Sequence, residues 1–369
     1  MCLFNPLASQ SGACAVKAFV VFVGIGAVLV SGLGASSASA AVPSHDDSGV
    51  HGVLAWSRFD DFETGTARIV VADAQGHHVT PITNPPAGEQ DIDPRISPDG
   101  RRILFERDDV NGISTAWIVG TNGRGEAQID LGCTDPCGGT NTPTWTPDGQ
   151  HLLYDRVSGP FDDAGDAASA VLWLADLDGT HQRRVSDPAL DTVRTEETNA
   201  SFAPAGYRVV IRATIDRQTA VFRERLDGSH AVQITPWSLA ADLPFVSPAP
   251  SGPTKDLVVF EATGFSAPAG STAGSRIGTV PATCRTLASC TAQIRFLTPS
   301  TTTANDNFNP SWSPDGQQVV YVNHHDGDDT HTPVGDIWTM RWDGSQKASV
   351  SLDPRFEFRP AWGQVRYGR

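Results

Sequence analysis

The residues best suited to chemistry are acidic, and they recur in short clusters. Asp60-Asp61-Phe62-Glu63, Asp108-Asp109-Val110-Asn111, Asp162-Asp163-Ala164-Gly165-Asp166 and Asp326-Gly327-Asp328-Asp329 each follow a short apolar run. Carboxylates gathered in this way could supply the several oxygen ligands that Ca2+ takes, or could receive a cationic ligand. No cluster has the Asp-x-Asp-x-Asp-Gly spacing with a distal Glu, and Asp and Gly are also ordinary turn formers. Solvated turns are the simpler reading. His324-His325-Asp326 with His331 is the densest set of soft ligands and could hold Zn2+ or another transition metal; a polar loop would have the same composition. The candidate metal ligands are thus Asp60, Asp61, Asp108, Asp109, Asp162, Asp163, Asp166, His324, His325, Asp326, Asp328, Asp329 and His331. Arg58, Arg107 and Arg156 recur at the ends of the strands before three of the acidic loops. They could grip an anion, but pairing with the adjacent Asp loop is the simpler expectation, worth about 0–1 kcal/mol per exposed pair.

Catalytic signatures are missing. The chain has no Gly-x-Ser-x-Gly elbow, no Gly-x-x-x-x-Gly-Lys phosphate loop and no His-Glu-x-x-His helix. Beyond residue 40 only Lys255 and Lys347 offer an amine. No catalytic or cofactor-binding residue is assigned, although His, Arg and Asp from distant segments could still meet in one funnel.

The elements that must position these residues are short strands. The 369 residues are 39% hydrophobic and only 19% charged, with 35 Gly and 26 Pro, so there is ample apolar surface to bury and many turns to make. The formal net charge of −15 repels phosphate backbones and argues against nucleic acid. Residues 1–40 have secretory anatomy: Lys17, an apolar run from Ala18 to Val30, and Ala38-Ser39-Ala40 as a cleavage site. The expectation is a secreted, periplasmic or cell-envelope protein, membrane-attached only if that segment stays uncleaved. Four cysteines follow it, and in an exported chain they read as disulfides. Four allow three pairings; the local one, Cys133–Cys137 with Cys284–Cys290, is the cheapest in geometry. A four-Cys zinc site lacks the usual spacing.

An internal repeat organises the rest. Asp93-Pro-Arg-Ile-Ser-Pro-Asp-Gly100, Thr142-Pro-Thr-Trp-Thr-Pro-Asp-Gly149 and Asn309-Pro-Ser-Trp-Ser-Pro-Asp-Gly316 are each followed by an apolar strand carrying Phe105, Tyr154 or Tyr321. Weaker copies begin at Ala200 and Pro244, and Arg359-Pro-Ala-Trp362 is half a copy. Its missing strand is Val53-Leu-Ala-Trp56, so the two ends complete one unit and the count is six. Each unit continues with a second strand and a turn: Gln75-Gly76, Asn122-Gly123, Asp178-Gly179, Asp227-Gly228 or Asp343-Gly344. Such dipeptides predict tight hairpins with both central residues at positive φ. The fifth unit is degenerate, with a long segment from Gly264 to Arg295. Four-stranded units apolar on both faces must stack, and a split unit closes the stack into a ring. The expected fold is an all-β, six-bladed β-propeller of four-stranded antiparallel blades, closed by pairing the N- and C-terminal strands in one blade. The boundaries are 1–40 for the signal peptide, 41–52 for an extension and 53–369 for the propeller. Trp145, Trp312 and Trp362 are read as packing between blades.

The Pro-x-Trp-Ser-Pro-Asp-Gly run, the apolar-aromatic strand and the Asp-Gly hairpin together resemble the TolB-type, WD40-like propeller repeat, from Val53 to Trp362. That family implies periplasmic partner-binding scaffolds, propeller halves of serine peptidases, or sugar-processing lyases. TolB carries an α/β domain ahead of its propeller, and residues 41–52 leave no room for one; the peptidases need a hydrolase domain after it. The resemblance, with the missing signatures, gives the expectation of a monomeric, non-enzymatic module that binds an unidentified protein or envelope component. The alternatives are a carbohydrate lyase or hydrolase with a funnel site, and a Ca2+-dependent binding module.

Overall fold

Val, Ile, Leu and aromatic residues alternate with polar ones in runs too short for helices, and Gly- and Asp-rich turns stop each run. The computed structural model describes residues 52–61, 64–132, 137–158, 169–187, 195–213, 218–263, 274–299, 305–326 and 333–364. The expected leader, Cys133, Asp162, Asp163, Asp166, Asp328, Asp329 and His331 lie outside the described residues.

The strands follow the repeat. They are β1 (Val53–Asp61), β2 (Thr66–Asp73) and β3 (Thr80–Pro81); β4 (Gln90–Ile96), β5 (Arg102–Asp108), β6 (Ser114–Gly120) and β7 (Ala127–Gln128); and β8 (Cys137–Trp145), β9 (His151–Ser158), β10 (Ser169–Asp176) and β11 (Arg183–Arg184). Next come β12 (Thr195–Phe202), β13 (Tyr207–Ala213), β14 (Thr219–Arg225) and β15 (Val232–Gln233), then β16 (Ala241–Val246), β17 (Leu257–Ala262), β18 (Arg276–Pro281) and β19 (Arg295–Phe296). Last are β20 (Asn305–Trp312), β21 (Gln318–Asp326), β22 (Pro333–Arg341), β23 (Ala348–Ser349) and β24 (Glu357–Gly363). Each run of four pairs antiparallel in sequence order, and β24 pairs antiparallel with β1, with Leu54 opposite Trp362. Six groups of four result among the described residues. We name the strands of each group a to d; in group 1 the a-strand is β24.

Every group buries both faces. Leu54, Ile69, Ile103, Leu104, Val209, Val258, Phe260 and Val320 are fully enclosed. The apolar clusters lie between consecutive groups: Ile69 and Ile103 join groups 1 and 2, Leu104 and Tyr154 groups 2 and 3, Leu153 and Val210 groups 3 and 4. Ile211 and Phe260 join groups 4 and 5, Val259 and Tyr321 groups 5 and 6, and Trp56 and Val320 join groups 1 and 6. Burial at these seams, near 25 cal/mol per Å2 of apolar surface, is what each sheet lacks alone.

The tryptophans act at the seams. Trp145 in group 3 donates from Nε1 to the Arg95 carbonyl of group 2 at 2.7 Å, and Trp312 in group 6 does the same to the Phe245 carbonyl of group 5 at 2.8 Å. Trp362 is 9% exposed and packs with Leu54 and Val320.

The c–d hairpins differ from expectation. Of each predicted dipeptide only the Gly has positive φ, 80° at Gly76, 83° at Gly179 and 81° at Gly228; His78, His181 and His230, two positions on, are positive as well. The Gly179 N–H reaches the Asp176 carbonyl at 2.9 Å, and Asp176 N–H reaches the Thr180 carbonyl at 3.0 Å. The loops are therefore one residue longer than a type I′ turn, a type I turn closed by a left-handed residue. Gly is required at 179 for a second reason: a Cβ there would strike the Asp130 carbonyl of group 2.

Group 5 carries a short helix, α1 (Leu287–Thr291), between its c- and d-strands. A disulfide joins Cys284 to Cys290, and both cysteines belong to the apolar cluster that holds Val209, Ile211 and Val221 of group 4. Arg223 of group 4 donates to the Ala282 carbonyl at 2.6 Å, so this segment lies against the neighbouring group. Cys137 is also disulfide-bonded.

Candidate functional site

The Pro of the repeat follows a bulge. Each a-strand has one non-glycine residue at positive φ: Asp93, Thr142, Asn199, Leu243, Asn309 and Arg359, all between 46° and 54°. Pairing with the b-strand slips at each of these positions. Pro follows five of the six, and Ala200 follows the other. A bulge suits Pro because no ladder hydrogen bond is lost there. Asn and Asp tolerate positive φ, whereas the β-branched Thr142 does so only when its surroundings hold it.

Those surroundings come largely from the preceding group. The b-strand acid of one group accepts the freed N–H of the following a-strand. Glu106 accepts from Thr142 N at 2.7 Å, Asp155 from Asn199 N at 3.3 Å, and Glu261 from Asn309 N at 3.0 Å. Asp155 also accepts from the Thr142 hydroxyl. Asn309 accepts from Arg359 N at 3.1 Å, and Asn199 Nδ2 donates to Asp242 at 3.4 Å. A buried polar belt thus runs from a-strand to a-strand. Its acids had a sequence signal that the repeat reading passed over. Each follows the core aromatic directly, as in Phe105-Glu106, Tyr154-Asp155 and Phe260-Glu261.

The belt holds more carboxylates than cations. Asp93, 1% exposed, takes Arg359 Nη1 at 3.1 Å and Arg95 Nη2 at 3.5 Å. Burial works against the Arg359 charge, but Asp93, Asp242, Glu106 and Glu261 outweigh it and raise its pKa. The carboxyls pay the opposite penalty. Burial lifts Asp155 to about 8 and Glu261 to about 7, raises Asp242, and holds Glu106, beside Asp108, well above the ordinary range. Glu196, near the start of β12, is also raised to about 7 by burial and by Asp242.

Among the described residues, the arginines read from sequence pair outside the acidic loops. Arg107 binds Asp91 with two bonds, at 2.5 and 2.8 Å, reaches Glu126 at 2.8 Å and lies 4.1 Å over the Trp117 ring. Arg156 donates to Leu131 O at 2.9 Å and to Gln182, and lies 4.0 Å over Trp173. Arg58 reaches Asp353 at 3.4 Å. Arg58 and Arg156 find acceptors in the preceding d–a connections, and Arg107 finds Asp91 directly opposite it on β4.

The described metal candidates are engaged locally. Asp60 accepts from Arg68 at 2.6 Å; Asp108 accepts from Ser114 at 2.5 Å; Asp109 accepts the N–H groups of Asn111 and Ile113 at 2.8 and 2.9 Å. Asp61, His325 and Asp326 lie at strand ends. Among the described residues, no three His, Cys, Asp or Glu converge to hold a metal ion. His324 Nδ1 lies 2.9 Å from Asp306, with side chains 14% and 16% exposed. The Phe308 and Phe356 rings stand 6.1 and 6.0 Å from the imidazole. Sequence reading reached His324 but not Asp306 or the aromatic wall.

The arrangement has counterparts among solved structures. TolB from Acinetobacter baumannii superposes with a TM-score of 0.60 at 15% identity, covering 85% of this chain and 67% of that one. The putative TolB from Agrobacterium tumefaciens gives 0.52 at 15% identity, covering 85% of this chain and 99% of the other. The fold is a TolB-like β-propeller. The same architecture recurs in Kuenenia stuttgartiensis hydrazine synthase, with a TM-score of 0.61 at 13% identity over 86% of this chain and 47% of that one. No family model matches the sequence, and no curated protein matches it. In this propeller the b–c loops and the d–a connections emerge on one face, because consecutive strands alternate in direction. Asp60, Asp108, Asp109, Glu196 and the His324–Asp306 pair belong to that face. No described helix is long and apolar enough to cross a membrane.

Proposed function

We propose that this chain is an exported, non-enzymatic, six-bladed propeller that binds a protein or envelope component through the face bearing its b–c loops. The six strand groups are its blades, residues 53–369 its domain, and the β1–β24 pairing the closure of its ring. One observation carries the reading: the charged groups of the a- and b-strand belt are engaged in joining neighbouring groups. Arg359 and Arg95 hold Asp93, and Glu106, Asp155 and Glu261 cap the neighbouring bulges. A belt committed to bracing the ring leaves its outer loops to do the binding, as loops on a rigid scaffold commonly do. The leader at 1–40 supports export.

The test is capture from the producing cell's envelope and culture fluid with tagged mature protein. Val110 is 70% exposed on the proposed face, and Asp227 lies in a hairpin on the opposite one. Val110→Asp should abolish a stoichiometric partner that Asp227→Lys retains. Equal retention by both variants would refute the assignment of the face.

A second reading rests on His324 and Asp306. A carboxylate on Nδ1 orients an imidazole as a base, and an aromatic wall suits a sugar ring. Cleavage of an acidic oligosaccharide by the purified chain, abolished by His324→Ala, would replace the binding role with a lyase.

A further inference from the structure

The belt leaves acceptors without donors. Asp155 is 2% exposed and Glu261 1%, yet Asp155 Oδ1 and Glu261 Oε1 have no hydrogen-bond partner. Two amide oxygens beside Asp155 share that condition: Asn141 Oδ1, on the residue directly opposite it in the β8–β9 ladder, and Asn199 Oδ1. An unmatched buried acceptor is costly, because it has lost water without gaining a donor. Three oxygens around one carboxyl therefore need a donor between them.

The surrounding charges do not supply it. Asp155 faces Asp93 and Arg95 of β4 and Glu197 of β12; β8 offers only the neutral Asn141 and Thr142. Glu261 faces Asp242 of β16, Asp306 of β20 and Arg359 of β24. The c-strand partners of the two acids, Leu172 and Ile277, are apolar. Acids outnumber guanidiniums at both places, and both guanidiniums already contact Asp93. With both acids almost wholly enclosed, the smallest cation fits best. A proton on Asp155 Oδ1 would donate to Asn141 or Asn199 while Oδ2 keeps its bonds to Thr142 and Asn199 N–H.

We propose that the belt is a proton-loaded lock: protons carried by Asp155 and Glu261 hold the seams between groups 3 and 4 and between groups 5 and 6, and their loss loosens the ring. Burial, which favours the neutral carboxyl in both, acts in the same direction.

Asp155→Asn and Glu261→Gln mimic the protonated forms, since each amide keeps one acceptor and adds a fixed donor. Melting of the mature protein between pH 5 and pH 9 tests the lock. The wild type should lose stability as pH rises. Asp155→Asn should match it at pH 5 and melt about 2–4 °C higher at pH 9. A variant equally destabilised at both pH values would show that the carboxylate charge is needed and would overturn the proposal. If neither variant folds, the infrared spectrum of the wild type decides. A protonated-carboxyl carbonyl band at pH 7 that vanishes above pH 9 supports the lock, and its absence at pH 7 refutes it.

Discussion

Arg359 donates from Nη1 to Asp93 Oδ1 at 3.1 Å, tying the last strand of the chain to the second group across 266 positions. Both residues sit at positive φ, and both are buried. The contact joins one a-strand bulge to the next beside the pairing of β24 with β1.

Removing that cation should be costly. Arg359→Met leaves Asp93 with only the longer contact to Arg95, and leaves Asp242 and Glu261 without a facing cation. Loss of one partner from a buried pair costs about 3–5 kcal/mol. Denaturant unfolding should register a drop of that size, with an unchanged slope if only the native state is affected.

Deleting residues from Phe358 onward should remove most of β24 and expose the edge of β1 along Val53 to Arg58. The truncated chain should unfold or associate through that edge. Light scattering with a thermal melt checks this; a monomer of unaltered melting temperature would contradict ring closure.

Opening the Cys284–Cys290 loop should weaken the seam between groups 4 and 5. Closing so short a loop is worth about 2 kcal/mol in the chain-entropy model. The double variant Cys284→Ala, Cys290→Ala should lose at least that, since both cysteines are buried in the apolar cluster shared with Val209 and Val221. Calorimetry with and without reductant should show a larger shift in the wild type than in the variant, which keeps only the Cys137 disulfide to reduce.

Stability against pH should have two limbs. Asp99 and Asp353 are held below the ordinary carboxylate range by Ser97 and Arg355, so what they contribute is lost as pH falls below about 4. Glu261 and Glu357 are raised to about 7 and Asp155 to about 8, chiefly by burial. Groups raised in the fold contribute most below their unfolded pKa, and that contribution fades as pH climbs from about 4 through 8. The melting temperature should peak in mildly acidic solution and fall toward pH 9. A flat profile from pH 5 to pH 9 would mean that these carboxyls are ionised in the fold.

The sequence by itself determined the local elements. Apolar runs after Ser-Pro-Asp-Gly became b-strands, Gly76, Gly179 and Gly228 took the left-handed positions, and Val53-Leu-Ala-Trp56 joined the half repeat at Trp362. These features depend on neighbours a few positions away or on a period repeated along the chain, and both are visible in one dimension. Tertiary structure decided the belt. Glu106 and Thr142 lie 36 positions apart and Glu261 and Asn309 48, and each bond crosses a seam between two groups. Arg107 found Asp91 rather than its adjacent loop for the same reason: strand pairing placed Asp91 directly opposite it. A buried carboxyl takes its partner from whatever packing brings within about 3 Å, and its charge from how completely packing removes water.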